Sequence, residues 1–266
     1  MKKLLSAVTI CCLAVGLSAV PAMAQMHTEH GTHGFNAQLV RSSNLIGADL
    51  YNATGEDIGQ VNDVVFDENS GGMMHAVLAA GGFIGIGDKL TAVNWNAINV
   101  KKNNDGKIKV TTTLDKAKLT AEKSYDKSGW KGSDKSWMQQ LPETAGKKIV
   151  RMSDVDDAKL FDKTGTHIGE IEDVIVDTKS GKAAYAVVSF DDEFIKKGDD
   201  MMTMIPWSLV RQSEKDRPGF VLHADKAKIE AGTFFDEKNW PDMHDMTWNK
   251  QVYDHYAVSP YYWTGV

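Results

Sequence analysis

The hydrophobic positions of this chain fall into short alternating runs, and the runs occur twice. In the first set, Ile58 to Asp67 alternates through Ile58, Val61, Val64 and Phe66, with an irregularity expected near Asn62 and Asp63. Leu45 to Tyr51, Met74 to Ala80, Leu90 to Val93 and Lys107 to Thr113 read as the other strands. Turn residues separate them: Asn52 to Gly55, Glu68 to Gly72, and the glycine-rich connection from Gly81 to Asp88. The second set predicts strands at Lys159–Asp162, Ile168–Asp177, Ala183–Phe190, Met201–Ile205 and Gly219–His223. Asp115 to Glu122 and Ala224 to Glu230 each read as a short helical cap, with Asp115 as an N-cap residue.

The two sets are copies. Residues 50–77 align with residues 160–187 at a constant offset of 110. Gly55 meets Gly165, Gly59 meets Gly169, Asp63 meets Asp173, Asp67 meets Asp177 and Gly71 meets Gly181. A duplication this long implies one module built twice. Short strands at even spacing predict a mainly all-β protein of two tandem small β-barrels, each with a helical cap. The expected organisation is a signal peptide over 1–24, a histidine-containing flexible arm over 25–39 and a first barrel over 40–122. A linker over 123–147, a second barrel over 148–238 and an aromatic tail over 239–266 complete it. The tail carries Trp240, Trp248, Tyr253, Tyr256, Tyr261, Tyr262 and Trp263 and reads as having no counterpart after the first copy. The linker and tail tryptophans are the expected contacts between the copies.

Matched residues have a backbone reading. Gly55 and Gly165 close tight hairpins, where a positive φ is expected. Gly59 and Gly169 mark a close approach of backbones. Asp63 and Asp173 interrupt an apolar strand, which predicts a bulge or a side chain bonded to neighbouring amides. As acid–base pairs, Asp63/Asp67 and Asp173/Asp177 carry little weight, because positions repeated by duplication answer to the fold; no catalytic residues are assigned.

The ends and the charge balance set the compartment and narrow the partners. Lys2 and Lys3, an apolar run from Leu4 to Val20 and an A-x-A site ending at Ala24 form an export signal, which predicts a periplasmic protein. Both cysteines, Cys11 and Cys12, lie within it, so disulfides and thiol chemistry are excluded from the mature chain. Removing the signal leaves 28 basic residues against the 36 acidic ones, a net charge of −8. That balance argues against a nucleic-acid partner and against binding to anionic membranes. No later stretch is apolar enough for membrane insertion.

Several of these stretches resemble PRC-barrel domains, the small β-barrel named after the photosynthetic reaction centre H subunit; a related barrel is found in a ribosome-maturation factor. The resemblance rests on Leu50-x4-Gly55-x3-Gly59-x3-Asp63-x3-Asp67 and its twin, on Gly81 to Lys89 followed by Ala92-Val93-Asn94-Trp95, and on Ile205-Pro206-Trp207. Asn94 stands where the family carries proline, and Asp191 to Gly198 replaces the glycine-rich connection in the second copy. The resemblance implies a non-enzymatic scaffold that docks an envelope protein partner, with self-association open to exposed barrel edges.

One stretch points elsewhere. Cleavage after Ala24 would expose Gln25-Met26-His27, whose amine, amides and imidazole form a four-nitrogen site suited to Cu(II) or Ni(II). His30 and His33 follow it, and Met243-His244-Asp245-Met246 in the tail offers softer ligands. A periplasmic metal-binding protein is therefore the alternative function.

Overall fold

The computed structural model describes residues 37–80, 89–103, 107–121, 146–198, 200–213 and 217–262. The signal segment, the arm residues Gln25, Met26, His27, His30 and His33, the Gly81–Asp88 connection and residues 122–145 lie outside this set.

The first copy runs β1 (Leu39–Arg41), α1 (Ser42–Leu45), β2 (Asp49–Tyr51), β3 (Asp57–Asp67), β4 (Met73–Ala80), β5 (Lys89–Asn94), β6 (Ile98–Lys102), β7 (Ile108–Thr112) and α2 (Lys116–Ala121). The second repeats it as β8 (Ile149–Arg151), β9 (Ala158–Phe161), β10 (His167–Asp177), β11 (Lys182–Phe190), β12 (Met202–Pro206), β13 (Val210–Gln212), β14 (Phe220–Leu222) and α3 (Lys226–Glu230). Two elements follow: β15 (Phe234–Phe235) and α4 (Met246–Tyr256). The strand order β5-β4-β3-β2-β7-β6 in one sheet is matched by β12-β11-β10-β9-β14-β13 in the other. In each, one parallel pair, β2 with β7 or β9 with β14, brings the end of the copy back to its beginning.

The copies exchange their first strands. β1 pairs with β10 of the second copy, and β8 pairs with β3 of the first. Leu39-Val40-Arg41 stands 110 residues before Ile149-Val150-Arg151, so the exchange is reciprocal. Leu39 thus belongs to a strand rather than to the arm, and each barrel includes a piece of the other. α1 occupies the start of the segment expected as a strand from Leu45.

The hairpin turns between the long strands interlock by the same symmetry. Met73 N donates to Gly181 O, and Ala183 N donates to Gly71 O, both at 2.8 Å. Gly71 packs beneath Trp207, and Gly181 beneath Trp95. The Trp207 indole donates to Glu68 O at 3.0 Å. Among the described residues the contact between the copies includes Trp95, Trp207 and the exchanged strands; of the tryptophans expected there, the tail's Trp240 meets Arg41 of β1, and the linker's Trp130 and Trp137 lie outside the described residues. A single apolar cluster runs from Val40, Leu50 and Phe66 to Val174, Trp207 and Leu222, across both copies. Fully burying a side chain of this size contributes about 1.5–3 kcal/mol. A shared core means that neither copy keeps its full share alone.

The tail is not a loose extension. Asp245 caps α4 by accepting from Thr247 N at 2.8 Å. Asn249, Tyr253 and Tyr256 are buried on one side of this helix. Tyr253 packs on the outer face of β10–β12 beside Ile175, Tyr185 and Val187, Asn249 accepts from the Tyr185 hydroxyl at 2.6 Å, and Tyr256 joins the shared core.

Candidate functional site

The two matched aspartates of the long strands, Asp63 and Asp173, bond one copy to the other. The predicted irregularity is a β-bulge in both copies, between Val61 and Asp63 and between Ile171 and Asp173. The bulge turns each carboxylate inward. Asp173 accepts from Arg41 Nε at 2.7 Å, from the Ser42 and Ser43 hydroxyls at 2.7 and 2.6 Å, and from Ser43 N at 3.2 Å. It also accepts from its own neighbour, Val174 N, at 2.8 Å. All but the last of these donors come from the other copy. Asp63 repeats the clasp more sparingly, accepting from Ser153 N at 3.1 Å, the Ser153 hydroxyl at 2.5 Å and Val64 N at 2.8 Å. Burial raises the Asp63 carboxyl above its ordinary value, against the opposing pull of the Ser153 and Val64 bonds and the Arg151 charge.

Asp67 and Asp177 do a different job. Each closes the turn after the long strand: Asp67 accepts from Asn69 N and the Ser70 hydroxyl, and Asp177 from Lys179 N and the Ser180 hydroxyl. Asp177 additionally accepts from Gln38 N at 3.0 Å and from the Tyr261 hydroxyl at 3.2 Å, tying arm and tail to one turn. The structure does not join Asp63 with Asp67, or Asp173 with Asp177, into an acid–base pair; each carboxylate is engaged by its own donors. Asp173, bonded to five donors, has no open side for a reacting group.

The glycines stand where the sequence reading puts them. Gly55 and Gly165 have φ of 85° and 87°. A Cβ on Gly59 would lie 1.9 Å from Ala79 O, and one on Gly169 2.0 Å from Ser189 O. Asn94, in the place of the family's proline, accepts from Asn96 N at 2.9 Å and so caps the 3-10 turn that Pro206 starts in the second copy.

The profile of the PRC-barrel domain matches residues 38–117 and 147–229. The chain belongs to the PRC-barrel family. Comparison with curated proteins yields no match. Both matches begin at or just before the exchanged strands β1 and β8, so the PRC-barrel unit in sequence includes a strand that is spent on the neighbouring barrel.

Beyond the PRC barrels, a cavity of about 200 Å³ lies between α4 and β12, lined by Thr203, Gly232, Trp248, Gln251, His255 and Tyr256. It falls below the roughly 300–1,000 Å³ of ordinary small-molecule sites. Its polar groups are partly committed: His255 Nε2 lies 2.7 Å from Lys228 O, and the Thr203 hydroxyl donates to Thr233 O. Burial pushes the Tyr256 phenol up to about 12. Of the tail residues considered as soft metal ligands, Met243 packs on the outer face and Asp245 caps α4, while His244 and Met246 are exposed. Among the described residues, no group of three or more His, Cys, Asp or Glu side chains could hold a metal ion. The histidine arm lies outside the described residues.

Proposed function

We propose that the protein is an exported, non-enzymatic scaffold that docks a protein partner in the cell envelope. The observation that carries this reading is how the two PRC barrels differ. Their matched polar residues bond the copies to each other and make a rigid double unit. The connection between β4 and β5 and its twin between β11 and β12 diverge in chemistry, and the second is two residues longer. One is glycine-rich and apolar; the other presents Asp191, Asp192 and Glu193, all exposed. Variable loops on a fixed frame are the usual carriers of recognition. The described tail aromatics, Trp240 to Tyr262, are spent on internal packing, which leaves the loops as the docking elements.

The test is capture from envelope extract with the full chain and with a chain whose residues 191–198 are replaced by glycine and serine. The reading expects a defined partner that the replacement releases. Equal capture by both chains, or none by either, would count against it.

A second reading rests on Gln25-Met26-His27 with His30 and His33, which would take Cu(II) or Ni(II) after cleavage at Ala24. A visible d–d band on Cu(II) titration that vanishes without residues 25–35 would favour it over docking.

A further inference from the structure

The C-terminal helix closes on the second barrel incompletely. The cavity left between them is bounded by β12 through Thr203 and Met204, by the turn after α3 through Gly232, by β15 through Phe235, and by α4 through Trp248 and Tyr256. Tyr256 is 6% exposed, and its hydroxyl has no hydrogen-bond partner among the described residues. Thr203 stands beside it, but the Thr203 hydroxyl gives its proton to Thr233 O at 2.8 Å. A buried hydroxyl without a partner is costly, and packing α4 on the sheet would need only phenylalanine here. The unpaired oxygen borders open space. A Cβ on Gly232 would lie 3.4 Å from it and 3.7 Å from His255 Nε2, so the absent side chain of Gly232 clears the room that both groups face.

Size and chemistry narrow what this space can hold. It encloses about 200 Å³. An apolar cavity of about 150 Å³ is enough to take up benzene, whereas larger ligands need several hundred. Among the described residues no Asp, Glu, Lys or Arg side chain lines it. His255 spends its Nε2 proton on Lys228 O at 2.7 Å. Burial pushes the Tyr256 phenol up to about 12, so the hydroxyl keeps its proton near neutral pH. An ion entering here would lose its water without gaining a counter-charge. We propose that this cavity binds a small neutral aromatic molecule carrying one hydroxyl or carbonyl group, with the ring against Met204, Phe235 and Trp248 and the polar group bonded to the Tyr256 hydroxyl. Such a molecule touches β12, β15 and α4 together, and so fastens the tail to the second barrel.

Phenol, toluene and benzoate are the probes, and the indole N–H signals of the full chain in NMR titrations are the readout. Phenol should shift the Trp248 signal saturably and leave that of Trp95, in the first copy, in place. Benzoate has the same ring with a charge and should not bind. Tyr256→Phe keeps the ring and removes only the unpaired hydroxyl, so the variant should be at least as stable to urea as the parent. It should bind phenol about 5–10-fold more weakly and toluene, which makes no hydrogen bond, as the parent does. No saturable shift with phenol would mean that water alone fills the cavity and would overturn the proposal. So would equal shifts at Trp95 and Trp248, or an effect of Tyr256→Phe that is the same for phenol and toluene.

Discussion

At the residue scale, two glycines four positions apart separate conformation from contact. Gly55 needs its φ of 85°, but a Cβ there would meet nothing within 4 Å. Gly59 needs its φ of 147°, and a Cβ would strike Ala79 O at 1.9 Å. Gly55→Ala should therefore cost about 1 kcal/mol from the left-handed backbone alone. Gly59→Ala should cost about 3 kcal/mol or more, because β3 and β4 must also part. Urea midpoints of the two variants check the order; equal losses would mean that the close approach is not tight. Asp63 allows a test by pH. Its carboxyl value is raised in the folded chain, so the folded state holds the proton more strongly than the unfolded state does. The linked stability is fully present below the ordinary value of 3.8 and is lost as pH climbs through the raised one. Asp63→Asn has no such proton. The parent should lose stability relative to that variant over the interval just above pH 3.8, and parallel pH profiles would contradict the assignment.

At the scale of elements, the strap β1 is held by one buried carboxylate and one exposed one. Arg41 reaches Asp173, whose side chain is fully buried, and Glu237, which is 66% exposed. Asp173→Asn removes the charge from a set of bonds closed to water and should cost about 2 kcal/mol. Glu237→Gln touches a solvated pair and should stay within about 0.5 kcal/mol. Thermal unfolding of the two variants decides whether the inner clasp or the outer pair secures the strap. Elements also differ in how legible they were. The long strands, their bulges and both helical caps could be read because alternation, an interrupting aspartate and a capping residue are local signals. β1 and β8 could not, since three residues give too short a run to show a period, and their partners lie more than 80 residues away. The echo of Leu39-Val40-Arg41 in Ile149-Val150-Arg151 was the available sign, and it marks the true start of each copy. α4 was hidden by composition: the tail read only as an aromatic segment, although Asn249, Tyr253 and Tyr256 recur at helical spacing. β6 was missed because Lys101 and Lys102 end it on the polar side.

At the scale of the whole molecule, the exchanged strands and the shared core turn two PRC barrels into one folding unit. A pair of barrels joined in series would unfold in two steps, each responding to its own mutations. An interlocked pair cannot, because opening the first sheet frees β8 from β3 and removes the clasp at Asp63, while losing the first copy takes β1 from β10. Matched aspartates at the crossing points explain why duplication kept them without implying chemistry. The frame is what the sequence states most plainly, and the docking loops are where it says least, since recognition leaves no periodic trace. Differential scanning calorimetry of the parent chain and of Gly59→Ala is the most direct test of the interlock. The account predicts one transition in each, with calorimetric and van't Hoff enthalpies in agreement, and the whole transition lowered by a substitution in the first copy alone. Two transitions, with Gly59→Ala shifting only one of them, would show that the copies fold separately and would contradict it.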